Sequence, residues 1–239
     1  MSLSPETQQR LVKAEEKQFT NPRNKETLQI IANRAFVGMM GPFRTGKTAV
    51  SLMATQLDPE HFHFVPSTTN EQVAKILDDT TTGNLVQYVI HPTDGTLYGT
   101  YPNDYQPDKH NLMPLLVGEP ADYVLGSPFE KAQAIGIFTD PNSLEQRITT
   151  SYRDKPPEKL ENRLIEGITS AQFLIERHKA GKLSLLHNVE GELEKSAQAL
   201  IDLVNGDRES DGDGVAYLER TIHMFEKMLR DLATNGETK

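Results

Sequence analysis

Apolar positions in this chain fall into short runs and helical stripes that alternate along its length. AFVGMMG, at 35–41, is a short apolar run that enters a glycine, and its length suits a buried strand. KTAVSLMATQL, at 47–57, reads as a helix that ends at Asp58-Pro59, because a residue before proline is steered out of the helical region. HFHFVP, at 61–66, reads as a second strand. Strand, glycine loop, helix and strand make a βαβ unit, which implies a parallel sheet. Upstream, NPRNKE at 21–26 carries turn residues and opens a helix through Arg34. Residues 4–20 are polar, with Leu11, Val12 and Phe19 as sparse apolar points, so an arm is expected there.

Downstream, NEQVAKIL reads as a helix, and two β-rich runs around Thr93-Asp94-Gly95 read as a hairpin. The runs at 111–118 and 134–140 have buried-strand length. The stretch from Pro141 to His178 is helical at both ends, with a polar middle broken at Pro156-Pro157. KLSLLHN is a last short strand, and GELEKSAQALIDLVNG an amphipathic helix. DRESDGDG is a polar linker; its acidic spacing resembles a calcium loop only until the twelfth position, which is Leu218. The final helix, 215–233, carries the stripe Leu218, Ile222, Phe225, Leu229 and Leu232, expected to pack on the body or on a partner chain.

Composition narrows the classes. The chain has 239 residues, ample for a core without staples. It has no cysteine, which excludes disulfides, a thiolate nucleophile and cysteine-ligated zinc. The net charge of −9 argues against broad nucleic-acid binding. No apolar run approaches the ~18 residues of a membrane span, and the first ten residues lack a signal pattern. A soluble, cytoplasmic protein is expected, with no nucleic-acid or membrane partner and a possible homo-oligomer through its terminal helices.

Candidate chemistry sits in the first loop. Gly41, Gly46, Lys47 and Thr48 fit the spacing G-x-x-x-x-G-K-[ST], between an expected strand and an expected helix. Glycines let backbone N–H groups turn inward around phosphate oxygens, and the helix points its positive end at them. Lys47 would reach the outer phosphates of ATP and Thr48 would ligate Mg²⁺. Arg44 and Thr45 complete the loop. The reaction is not set by the loop, since switch proteins, ATPases and small-molecule kinases share it.

Several marks occur in an order that resembles the guanylate kinase family over 35–205. They are GPFRTGKT, FVPSTT at 64–69, LYGT at 97–100, IFTDPNSLEQR at 137–147, ENRLIEGITSA at 161–171, and LHN before an acidic helix. The resemblance implies an α/β fold of the P-loop, three-layer α/β/α kind. It implies a parallel core sheet, an acceptor subdomain near 65–105 and a helical lid near 148–160. It divides the chain into an arm at 1–25, the kinase-like domain at 26–206, and a linker with the last helix at 207–239. It implies phosphoryl transfer from ATP to a nucleoside monophosphate, with Arg147, Arg153 and Arg163 bracketing the moving group. For the acceptor it points to Ser67, Thr69, Gln87, Tyr98, Thr100 and Glu119.

The acceptor half departs from the family pattern. Pro66 stands where the family has a guanine-reading serine, Asn70 where it has a phosphate-binding arginine, and Gln87 where it has a glutamate. A glutamine offers one carbonyl oxygen and two donors of its own, so it pairs worse with the guanine edge. Arg44 adds a charge to a loop that is mostly small in the family. Two readings follow: a kinase with an uncertain acceptor, or a nucleotide-binding or interaction module that kept the fold and lost the reaction. A switch or motor NTPase is less favoured, because no second acidic strand motif accompanies the loop.

Overall fold

The computed structural model describes residues 23–66, 85–90 and 97–236. Its described strands are β1 (Ala35–Met40), β2 (Phe62–Phe64), β3 (Gln87–Ile90), β4 (Leu97–Thr100), β5 (His110–Pro114), β6 (Lys131–Phe138) and β7 (Ser184–His187). The described helices are α1 (Lys25–Ile31), α2 (Lys47–Leu57), α3 (Glu119–Leu125), α4 (Pro141–Tyr152), α5 (Pro157–Lys179), α6 (Leu193–Asn205) and α7 (Gly214–Gly236). Five strands make one parallel sheet in the order β2-β5-β1-β6-β7. β3 and β4 form a separate antiparallel pair. The chain is an α/β fold around a parallel sheet.

Alternation along β1 divides the core. Phe36 and Met40 join Met113, Phe138 and Leu185 on one face, with Ala171 and Leu174 of α5 and Leu218 of α7. Val37 and Met39 join Ile135, Ile137 and Leu186 on the other, with Val50 and Ala54 of α2 and Leu200 and Val204 of α6. Successive side chains of a strand point to opposite faces, so a continuous apolar run like β1 needs helices on both. It has them: α2 and α6 cover one face, and α3, α5 and α7 pack on the other.

Helix ends follow ordinary capping chemistry. Asn24 Oδ1 accepts from Thr27 N at 2.7 Å and starts α1. Asp140 Oδ1 accepts from Asn142 N and Ser143 N, and Pro141 takes the first position of α4, where its missing N–H costs nothing. The break at 153–156 separates α4 from α5, as the two prolines imply.

Three features differ from the sequence expectation or add to it. β5 lies between β1 and β2, so the strands of the first βαβ unit are not neighbours. The short helix α3 falls where no element was expected; seven residues give too few turns for a periodic signal. The polar stretch at 207–213 is tied to the edge strand β7. Leu185 N donates to Ser210 Oγ and His187 N to Asp211 Oδ2, both at 2.7 Å. These side chains occupy backbone donors that an edge strand otherwise leaves open. Asp211 also meets Arg208, so it is engaged in structure. Among the described residues no group of acidic or histidine side chains could hold a metal ion, and no helix is long and apolar enough to cross a membrane. Residues 1–22, most of the arm expected at 1–25, and the NEQVAKIL segment lie outside the described residues.

Candidate functional site

The site grows from the C-terminal end of β1. At Gly41, φ is +144°, and a Cβ would lie 2.3 Å from the Ile137 carbonyl oxygen of β6. At Gly46, φ is +92°, and a Cβ would lie 2.2 Å from Asn188 Nδ2. Only glycine serves at either place. Between them Arg44 takes φ +65°, a left-handed conformation that costs a non-glycine residue roughly 1 kcal/mol. Gly46 then leads into α2.

Internal bonds fix the loop. Thr45 is buried, and its hydroxyl donates to the Pro42 carbonyl at 2.9 Å. Asn188 Nδ2 donates to the Thr45 carbonyl at 2.8 Å. Asn188 is itself held, with its N–H on the Phe138 carbonyl and its own carbonyl accepting from Thr139 Oγ1 at 2.7 Å. The loop is thereby pinned to the ends of β6 and β7.

Lys47 bends back over this loop. Its Nζ donates to the carbonyls of Gly41 at 2.8 Å and Pro42 at 2.9 Å. Burial lowers its pKa to about 8, and the positive charge of Arg163 adds to the shift. Arg163 reaches this neighbourhood from α5, where it donates to Glu166 at 2.9 Å.

A cavity of about 740 Å³ opens beside the loop, within the usual size of a small-ligand site. Arg44, Gly46, Lys47, Thr48 and Ala49 form one wall. Ser143, Gln146, Arg147, Thr150 and Ser151 of α4 form the other. Their i, i+3, i+4, i+7, i+8 spacing is one face of a helix, while Leu144 and Ile148 between them are buried. Glu190 completes the lining and pairs with Arg147. Arg147 Nη1 also donates to the Arg44 carbonyl at 3.1 Å, so α4 is tied to the loop.

The expected residues divide. Arg44, Gly46, Lys47, Thr48 and Arg147 meet at the cavity, Gly41 and Thr45 shape the loop behind it, and Arg163 acts on Lys47. Arg153 is exposed at the end of α4 and does not line the cavity. Gln87 pairs with Thr100, and Tyr98 with Val89, in the β3–β4 ladder. Thr100 is fully buried, with its hydroxyl 3.0 Å from that of Tyr105, and it does not line the cavity. Glu119 is exposed in the first turn of α3 and does not line it either. Ser67 and Thr69 lie outside the described residues.

Sequence reasoning passed over Asn188 and Glu190. LHN was visible as a mark, but nothing local says that its asparagine braces a loop at positions 41–46. The polar face of α4 could have been found from its spacing alone. No protein-family model matches the chain, and no curated protein matches it.

Proposed function

We propose that the chain binds the polyphosphate of ATP on the 41–48 loop and transfers its terminal phosphoryl group to a nucleoside monophosphate. The observation that carries this reading is the state of Lys47. A partly buried ammonium at the cavity wall, bonded to two loop carbonyls and lowered in pKa beside a second cation, favours an incoming anion. The cradle fits a phosphate chain: both glycines are sterically required, and α2 begins at the loop.

In this reading the loop N–H groups and Lys47 would hold the phosphates, and the Thr48 hydroxyl would supply an oxygen to Mg²⁺. The bound ion would neutralise charge on the phosphate oxygens. Arg163, whose charge is felt at Lys47, would add to the positive field on the same anion. An acceptor phosphate oxygen attacks the terminal phosphorus, the bond to the bridging oxygen breaks, and ADP and a nucleoside diphosphate leave. Positioning and charge are most of what this chemistry asks of a protein. The guanylate kinase resemblance implies the same reaction.

A second reading is a nucleotide-binding module without transfer. It is favoured by the acceptor side: Thr100 is engaged with Tyr105 inside the core, and Asn70 stands in place of a charged residue. ADP release, measured with ATP and each of GMP, dGMP, AMP, CMP and UMP, separates the two. Turnover with any of them, lowered at least about a hundredfold by Lys47→Ala, is the expected result. ATP binding with no turnover on any monophosphate selects the module. Turnover that survives Lys47→Ala removes the loop from the mechanism.

A further inference from the structure

We propose that the C-terminal helix α7 is a working part of the nucleotide site, because Phe225 grips Phe43 and so positions the 41–46 loop. This rests on reading that loop as a nucleotide cradle. Phe43 is the one large apolar residue of the loop. Its ring lies nearly parallel to that of Phe225, 13° between planes and 5.8 Å between centroids. It also meets Tyr152 edge-on at 5.9 Å and 78°. Tyr152 is the last residue of α4, directly before the 153–156 break.

The geometry depends on a cut-out in α5. Phe225 is fully buried, and it reaches Phe43 past Gly167. A Cβ at 167 would lie 2.6 Å from Phe225 Cε2. Leu144 and Ile148 of α4, Leu164 of α5 and Met224 of α7 close around the stack. One apolar node therefore joins the loop, both helices flanking the break, and the last helix of the chain.

The node sits against the strained part of the loop. Phe43 follows Pro42, whose carbonyl holds Lys47 and accepts from Thr45. It precedes Arg44, at φ +65°. A loop bent this way needs an anchor to stay in a binding shape, and a preorganised loop binds its ligand more tightly. Asn188 anchors it on the β7 side, and Phe225 anchors it on the α7 side. Neither aromatic lines the cavity, so both are positioning residues.

The test is calorimetric titration of the full chain with Mg-ATP. The proteins are wild type, Phe43→Ala, Phe43→Tyr, Phe225→Leu and the Phe43→Ala/Phe225→Leu double variant. The worth of a stacked aromatic pair sets a ceiling of about tenfold on the binding that a loosened loop can lose, so each truncation should weaken binding by about three- to tenfold. The double variant should bind no more weakly than the weaker single, because both lose one contact. Phe43→Tyr, which keeps the ring, should bind like wild type. A packing role alone would lower the melting temperature of Phe225→Leu and leave affinity untouched. Should Phe225→Leu fail to fold, Phe43→Ala and Phe43→Tyr decide. Phe43→Ala binding ATP as well as wild type overturns the proposal while the nucleotide cradle stands. Wild type that binds no ATP, or Lys47→Ala that binds it equally well, overturns the cradle and this proposal together.

Discussion

Asn188 Nδ2 donates to the Thr45 carbonyl at 2.8 Å, across 143 positions of sequence. The same nitrogen occupies the space a side chain at position 46 would need, 2.2 Å from a Cβ there. The loop and the end of β7 are thus shaped by one side chain, and its removal has two opposite effects. Asn188→Ala leaves the Thr45 carbonyl without its side-chain donor and should cost about 1–2 kcal/mol of stability. Gly46→Ala in the wild-type background should cost more, because it meets both the amide and an unfavourable φ. In the Asn188→Ala background the amide is gone, and the cost of Gly46→Ala should fall toward the backbone strain alone, roughly 1 kcal/mol. Urea denaturation of the four proteins measures this. Strict additivity would show that the contact does not govern residue 46.

On the proposed reading, Lys47 should make stability and ATP binding depend on pH in opposite directions. Burial pulls its pKa in the folded protein down to about 8, from the ordinary lysine value of 10.5. Between those two values the unfolded chain holds a proton that the folded chain has released. The stability contribution of this group therefore rises from pH 8 toward 10.5 and is lowest below 8. If Lys47 holds the phosphates as proposed, ATP affinity should fall over the same window, because the ammonium that would hold the anion is lost. Comparing wild type with Lys47→Met isolates the group from other lysines and tyrosines. Calorimetry and urea melts between about pH 7 and about pH 9.5 should give the two opposed slopes in the difference between wild type and Lys47→Met. A flat wild-type affinity over that range would count against Lys47 as the phosphate ligand.

Glu190 is the one acidic side chain among the residues lining the cavity, and it pairs with Arg147. The Glu190 side chain is 57% exposed, so the pair should add at most about 1 kcal/mol to stability. Glu190→Gln should leave the melting temperature nearly unchanged. It should also strengthen ATP binding, since a negative charge beside a polyanion is removed while Arg147 keeps its bond to the Arg44 carbonyl. The gain should shrink at high salt, where exposed charges are screened. Titrations at about 0.05 M and about 0.5 M salt test this, and the absence of a gain at low salt would place Glu190 away from the bound phosphates.

What was legible in the sequence was local. The apolar run of β1, the glycine spacing and the helix-forming run of α2 lie within 35–57, and the structure builds those elements there. Pro156-Pro157 marked the break between α4 and α5 by forbidding a continuous helix. What was not legible depends on distant partners. Nothing in HNLMP says that it inserts between β1 and β2, and nothing near Phe43 announces Phe225. The stripe on the last helix left body and partner open. Leu218 and Phe225 are buried on the body, with Leu229 and Leu232 packed beside them. For Thr100, alternation in a hairpin gives two faces but not which one turns inward.

That last ambiguity yields a direct test. Thr100 was expected to touch an acceptor phosphate, yet its hydroxyl lies 3.0 Å from the Tyr105 hydroxyl in the core. Tyr105 also donates to Met113 Sδ at 3.4 Å, and burial pushes its ionisation far above the ordinary range, so it remains a donor at any working pH. Thr100→Val keeps the shape and deletes the hydroxyl. It removes one buried hydrogen bond, which should cost about 1 kcal/mol and lower the urea midpoint. ATP affinity should not change, because the side chain does not line the cavity. Where a monophosphate acceptor is turned over, its KM and kcat should also stay within about twofold of wild type. A tenfold or greater rise in acceptor KM at unchanged stability, by about 1.4 kcal/mol of lost binding, would return Thr100 to the acceptor site and require its strand to turn outward when substrate binds.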